Sequence, residues 1–371
     1  MGDNFRIHNG KPGIIESVNR IIRDATAKHA SDIHIDINSR EFNIRYRIDG
    51  VLEKAEKFSF DNEKLEVISR IKIISGMNIA EKRLPQDGSI NIVINNRKYD
   101  IRVSSLPTVD GESLVLRILQ NEEKITDFES LGFREKSLFN IKKLINKNHG
   151  LVLISGPTGS GKTTTLFSII NKLNDESKKI ITVEDPVEKK LKGITQIQVK
   201  EKIGLTFLEG LKHVLRNDPD IIVIGEIRDK ETAEIAVKSA LTGHLVIATI
   251  HTNDSLSTIF RLMDMGIPEY LILNSLNGVI AQRLVRKICV KCCGQSCPSC
   301  NSGYSGRINI NEILVFDDGV HELFRKTNSL GEIKNKIKET GFRDMLDDAL
   351  EKEKEKIINK EEIFRVLGEL Q

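Results

Sequence analysis

Gly156 to Thr163 reads GPTGSGKT and fits G-x-x-x-x-G-K-[ST] at every fixed position. Glycines at 156, 159 and 161 would let backbone N–H groups turn inward on a polyanion, and a helix N-terminus behind them would add partial positive charge. Lys162 would reach the β- and γ-phosphates of a nucleoside triphosphate, and Thr163 would offer its hydroxyl to Mg²⁺. Pro157, Thr158, Ser160 and Thr164 complete the stretch that would hold the nucleotide.

Three further stretches could supply the rest of such a site. In DPDIIVIGEIRD, four apolar residues lead to Glu226, whose carboxylate could polarise the attacking water or hold Mg²⁺ through water. Gly225 stands where a strand-end Asp is usual, so more of that role falls to Glu226. IITVEDPVE ends on Glu184 and Asp185. Glu184 is the better candidate for the γ-phosphate and Mg²⁺ side, and Asp185 serves equally well as a cap or turn residue. LTGHLVIATIHTND places His244 before a buried run and His251 after it, where His251 could sense the γ-phosphate.

Arginines could neutralise charge spread in phosphoryl transfer. Arg83, Arg97, Arg102, Arg117 and Arg216 are the candidates, and Arg102 and Arg117 sit inside apolar strand patterns where an idle charge is costly. CVKCCGQSCPSC holds all five cysteines of the chain. The pairs Cys289-x-x-Cys292 and Cys297-x-x-Cys300 have the spacing of a Zn²⁺ knuckle, and Cys293 could replace Cys292.

The elements that must position these groups follow from periodicity. An apolar run, Leu151–Ile154, enters the glycine loop, and helical spacing leaves it. Strands at 180–184, 221–225 and 245–250 alternate with helices at 163–173, 207–216, 231–241 and 255–264, a parallel βαβ core with ligands at the strand C-terminal ends. Upstream, 14–30 and 63–77 read as amphipathic helices. Alternating strands at 30–37 and 42–48, a hairpin across Asn95-Asn96 and a strand at 113–119 complete a smaller α+β domain. The expected division is 1–120 for that domain, 121–136 for a charged linker and 137–371 for the nucleotide domain. Beyond Asn274 the chain reads as helical through the cysteine cluster to a charged tail.

Composition narrows the class. With 371 residues, 39% hydrophobic and 29% charged, the chain reads as a soluble globular protein of two or three domains. A net charge of +3 and 5% aromatic content give no specific nucleic-acid signal, which argues against a nucleic-acid translocase. No apolar run reaches the roughly 18 residues of a membrane span, and MGDNFRIHNGK has no signal-peptide core. The expected location is cytoplasmic, with membrane contact only peripheral.

Taken together, these segments resemble the secretion ATPases that drive type II secretion and type IV pilus assembly. ASDIHI, RYRIDG, NIAEKRLPQDG and DIRVSSLPTVDGESLVLRIL resemble that family's N-terminal domain. GPTGSGKTTTL, ITVEDPVE, DPDIIVIGEIRD and TGHLVIATIHTND resemble its Walker A, Asp box, Walker B and His box. The cysteine pairs followed by GYSGRINI resemble its zinc segment. The resemblance implies a RecA-like P-loop ATPase domain with a parallel sheet, preceded by a smaller PAS-like α+β domain. It also implies a homohexameric ring that hydrolyses ATP and acts on an inner-membrane platform protein. Arg102 and Arg117 fall where the family places its ATP-site arginines, and Lys212 replaces one of two arginines before Walker B. The chain begins almost directly at the N-terminal domain, as in shorter competence-type and retraction-type members. The cysteine pairs favour fibre assembly over pilus retraction.

Overall fold

The computed structural model describes residues 13–37, 42–55, 64–120, 127–327 and 329–368. The N-terminal stretch 1–12, the helix start at Glu63 and residues 121–126 of the expected linker lie outside these. The chain divides into two compact units, Met1–Glu123 and Lys124–Gln371.

The first unit comprises α1 (Ile14–Ala27), β1 (Asp32–Ile37), β2 (Phe42–Ile48), β3 (Val51–Lys54), α2 (Lys64–Ile74), β4 (Gln86–Ile94), β5 (Arg97–Thr108) and β6 (Gly111–Gln120). The six strands form one antiparallel sheet in the order β3-β2-β1-β6-β5-β4. Because strand side chains alternate between faces, Ile33, Ile35, Ile44, Tyr46, Ile101, Val103, Leu114 and Leu116 share one buried cluster with Val18, Ile21 and Ile22 of α1 and Val67, Ile68 and Ile71 of α2. Asn95 and Asn96 join β4 to β5 with φ of 50° and 61°, a pair of left-handed residues that suits the twist of a two-residue hairpin.

In the second unit α3 (Glu135–Ile145), β7 (Gly150–Ser155), α4 (Lys162–Leu173), β8 (Ile180–Glu184), β9 (Thr195–Gln198), α5 (Phe207–Val214), β10 (Ile221–Ile224), α6 (Lys230–Leu241) and β11 (Leu245–Ile250) follow in turn. After them come α7 (Ser255–Asp264), α8 (Glu269–Ser275), β12 (Leu276–Ile288), β13 (Tyr304–Val315), α9 (Asp318–Lys326), α10 (Leu330–Glu339), α11 (Met345–Lys354) and α12 (Lys360–Leu367). The sheet order is β13-β12-β7-β11-β10-β8-β9, parallel except for β13. Both faces of the central strands are covered, as a parallel sheet requires. Leu151, Leu153, Val246 and Ala248 pack with α5 to α8, and Val152, Ile154, Leu245 and Ile247 pack with α3 and α4.

Two segments differ from the sequence reading. The stretch from Leu276 to Val315 is not helical, although the tail beyond it is: β12 and β13 form a long antiparallel hairpin, and β12 also pairs in parallel with β7. Leu276 to Ala281 are buried at every position, so the run shows no amphipathic alternation and a short buried strand looks like a buried helix from sequence alone. Part of the expected linker is built into the second unit: Phe128, in a short 3₁₀ turn at Phe128–Leu131, is buried beside Phe133 and joins the α3–α4 cluster.

Candidate functional site

The glycine loop lies between β7 and α4, at the C-terminal edge of the sheet. Gly156, Gly159 and Gly161 have φ of 150°, 78° and 88°, conformations that a side chain strains. At Gly156 a Cβ would also stand 2.5 Å from both Gln282 O and Ser160 Oγ. Gly161 caps α4 without any side-chain hydrogen bond, so the first-turn N–H groups remain available to an anion. Ser155 Oγ and Ser160 Oγ are buried beside the loop without a hydrogen-bond partner. A curved backbone, unpartnered buried hydroxyls and an uncapped helix N-terminus suit a bound phosphate chain. Thr163 is half-buried in the first helical turn and Thr164 is exposed beside it.

Lys162 leads into a charged relay. Its Nζ donates to Gly156 O at 2.7 Å and Pro157 O at 3.0 Å, and lies 3.4 Å from His251 Nδ1. His251 Nε2 lies 3.0 Å from Glu226 Oε1, while Arg228 Nε donates to Glu226 Oε2 at 2.9 Å. Arg228 Nη1 reaches Asp185 Oδ2 at 3.5 Å. Burial, with the Lys162 charge next, holds His251 below the usual imidazole range. A neutral ring donating from Nε2 to Glu226 leaves Nδ1 as the acceptor facing Lys162. His251 therefore couples the phosphate-binding lysine to the carboxylate at the end of β10.

Burial pushes the Lys162 ammonium down to about 8, against the pull of Glu226 and with help from Arg283. The sign for binding follows. A polyanion favours the ammonium form, so above about pH 8 the free protein must take up a proton to bind. ATP affinity should be level below this pH and fall above it by up to about tenfold per pH unit. A titration of dissociation constants from pH 6.5 to 9.5 checks this, and a level profile throughout would refute it.

The remaining candidates are placed as follows. Glu184 is buried, and its Oε1 accepts from Thr182 Oγ1 at 2.6 Å and Gln196 Nε2 at 3.0 Å; it is Asp185 that joins the Glu226 relay. Gly225 runs so close to β8 that a Cβ would stand 3.1 Å from Val183 O. His244 makes local contacts, with Nδ1 3.1 Å from Ser239 O. Arg216 turns back onto His213 and Lys212 O, and Lys212 pairs with Glu209 on the same helix. Arg83 is exposed and paired with Glu81.

Arg102 and Arg117 belong to the first unit. They stand opposite each other on β5 and β6, on the outward face of the sheet, which explains how charge fits into an apolar strand pattern. The row continues through Asp32 on β1 to Arg47 on β2. Asp32 accepts from Arg117 Nε at 3.1 Å and lies 3.8 Å from Arg47 Nε. One buried carboxylate thus lies between the exposed Arg117 and the half-buried Arg47.

Cys289, Cys292, Cys297 and Cys300 bring their sulfurs within 4.8 Å of one another. Neighbouring pairs are 3.6 to 3.9 Å apart. Four thiolates about 2.3 Å from one tetrahedral Zn²⁺ would be spaced by about 3.8 Å. Backbone N–H groups of Cys292 and Lys291 help hold the Cys289 thiol down to about 7, which favours the thiolate a metal needs. Cys293 is exposed in a left-handed turn (φ 50°), which decides between it and Cys292. The cluster fits zinc.

Two residues at the site escaped the sequence reading. Arg228 had a signal, lying two residues after Glu226 in the same loop. Gln282 did not, because its stretch read as a helix; it is buried and bonded to both the glycine loop and α4.

A family profile described as Type II/IV secretion system protein matches residues 8–365. Among curated proteins, Type II secretion system ATPase E of Vibrio cholerae is 41% identical, over 96% of this chain and 76% of that protein. Type II secretion system protein E of Xanthomonas campestris is 43% identical, over 95% and 67%. Among solved structures, the Legionella pneumophila ATPase DotB superposes with a TM-score of 0.75 at 26% identity, over 98% of this chain and 99% of that one. The pilus retraction motor PilT with bound ADP gives 0.64 at 27% identity, over 94% and 96%.

Proposed function

We infer, from the premise that this chain belongs to the type II/IV secretion system protein family and is a P-loop ATP hydrolase, that it is a hexameric motor powering type II secretion or assembly of a pilus-like fibre. The observation that carries the mechanism is the relay Lys162–His251–Glu226–Arg228, which joins the phosphate-binding loop to a carboxylate at hydrogen-bond distances. Glu226 takes the role of orienting and deprotonating the attacking water. His251 responds to the γ-phosphate through Lys162 and passes that response to Glu226. Thr163 is the residue to hold Mg²⁺, which would neutralise the β/γ-phosphate charge. Asp32 holds Arg117, and Arg117 and Arg102 are guanidinium groups of the kind that can neutralise charge in phosphoryl transfer.

The motor's output would pass to an inner-membrane platform protein at the cytoplasmic face. Among the described residues no helix is long and apolar enough to cross a membrane. Secretion and assembly are favoured over retraction by the 41–45% identity to type II secretion proteins, against 27% to the retraction motor.

A strain lacking the gene, complemented with wild type or Lys162→Ala, tests the reading. Exported proteins should accumulate inside the cells and be released only with the wild-type gene. A count of surface fibres by electron microscopy separates the alternatives: fibre loss means assembly, and excess fibres mean retraction and overturn the proposal.

A further inference from the structure

We propose that Gln282 is a positioning residue for the phosphate loop, aiming the Gly161 N–H at the nucleotide. The inference rests on the reading of Gly156–Thr163 as the ATP site and names a residue from outside that motif as part of its machinery.

β12 lies in parallel beside β7, with Ala281 opposite Ser155, so the next residue of β12 arrives where the glycine loop begins. Gln282 is 1% exposed. Its Nε2 donates to Ser160 O at 2.7 Å, and its Oε1 accepts from Thr165 Oγ1 at 2.8 Å. One amide therefore ties the last turn of the loop to the first turn of α4. Its own backbone carbonyl limits the loop from the other side, since with Ser160 Oγ it is one of two atoms 2.5 Å from where a Cβ at Gly156 would stand.

The consequence follows from peptide geometry. Ser160 C=O and Gly161 N–H belong to one planar trans unit and point in opposite directions. Holding the carbonyl against Gln282 fixes the N–H on the other side, away from β12. Gly161 has no Cβ and sits at φ 88°, so little in its own torsions would stop that peptide from turning. Gln282 is what stops it. The chemistry also selects an amide. The partner at Ser160 is a carbonyl, which requires a donor, and the partner at Thr165 is a hydroxyl, donating here, which requires an acceptor. Leucine satisfies neither. An ionised glutamate sets a lone pair against Ser160 O. A protonated glutamate reproduces the amide pattern, with O–H in place of N–H.

The test uses the full chain and measures ATP dissociation constants and the division between KM and kcat for Gln282→Leu and Gln282→Glu, with Lys162→Ala as reference. Gln282→Leu should weaken ATP binding by about 10- to 100-fold, the range set by a buried carbonyl left without its donor. The change should appear in KM more than in kcat. Gln282→Glu should bind ATP poorly at pH 8 and recover toward wild type as pH falls to 6, because burial raises a carboxyl pKa. A residue that only supported the fold would lower the melting temperature without producing that recovery. If Gln282→Leu does not fold, the pH series on Gln282→Glu decides alone. A folded leucine variant with unchanged affinity overturns the proposal, as does a glutamate variant with no recovery at low pH. The underlying site reading fails separately, if Lys162→Ala binds ATP as tightly as wild type.

Discussion

Glu226→Gln is expected to lower ATP turnover by roughly 10²- to 10⁴-fold, the contribution of a positioned general base. ATP binding should stay within a few-fold of wild type, because Lys162 and the glycine loop are untouched. In the wild-type site both carboxylate oxygens are engaged, one by His251 Nε2 at 3.0 Å and the other by Arg228 Nε at 2.9 Å. Those contacts fix the orientation and leave further lone pairs for a water molecule. An amide of the same shape cannot take the proton, and its NH₂ must face one of the two donors. Phosphate release under saturating ATP, together with the affinity of a fluorescent ATP analogue, separates chemistry from binding. Glu184→Gln is the comparison. Glu184 is held inside the sheet by Thr182 and Gln196, so its loss should act mainly on stability, by about 1–3 kcal/mol. Turnover that survives Glu226→Gln but fails with Glu184→Gln would reverse the two roles.

That comparison also marks how far the sequence could be read. The glycine loop, the strand before it and the helix after it were legible because the motif constrains backbone, charge and context together. The placement of Glu226 and His251 just past strand ends was legible because each follows an apolar run that had to be a buried parallel strand. The ranking of Glu184 above Asp185 rested on position at the strand end, and the structure adds the contacts of each: Glu184 with Thr182 and Gln196, Asp185 with Arg228. Adjacent residues at a strand end point to opposite sides, and spacing does not say which contacts each makes; here Arg228 bridges Asp185 to Glu226. The β12–β13 hairpin was illegible for another reason. Its first half is buried on both faces, so it carries no period, and the pairing that makes it a strand comes from β7, more than a hundred residues earlier. Gln282 went unnoticed along with that strand, since a polar residue in an apolar run is informative only once its neighbours are known. The charged, turn-rich composition of Asn121–Lys136 suggested a linker, yet it says nothing of Phe128 and Phe133, whose burial ties part of that stretch to the second unit.

Zinc removal should have the second large effect, confined to the loop end of the β12–β13 hairpin. Structural zinc sites contribute about 10–16 kcal/mol in small zinc-finger peptides, and the protein contacts of the knuckle are mostly backbone hydrogen bonds, such as Cys289 N–H to Gly303 O at 2.8 Å. Cys292, Cys297 and Cys300 are only half-buried, and Cys293, Gly294 and Ser296, between the first and last of the cysteines, sit at positive φ. Chelation should therefore raise amide exchange across residues 288–306. It should leave the β12–β13 stem intact, because that stem is paired from Gly278–Val315 to Arg286–Arg307 and is anchored by Glu362, which accepts from the Arg286 backbone and guanidinium. Gln282 stands seven residues before Cys289, about 23 Å along an extended strand, so ATP affinity should change by no more than a few-fold. Cysteine replacement sharpens the test. Cys292→Ser should lose the metal, whereas Cys293→Ser should retain one zinc per chain, because only Cys292 brings its sulfur into the cluster. Metal content by mass spectrometry, read alongside amide exchange, distinguishes the outcomes. A metal-free wild-type protein with a protected 288–306 segment would remove zinc from the account. Loss of ATP binding on chelation would instead mean that the knuckle and the phosphate loop are coupled through β12.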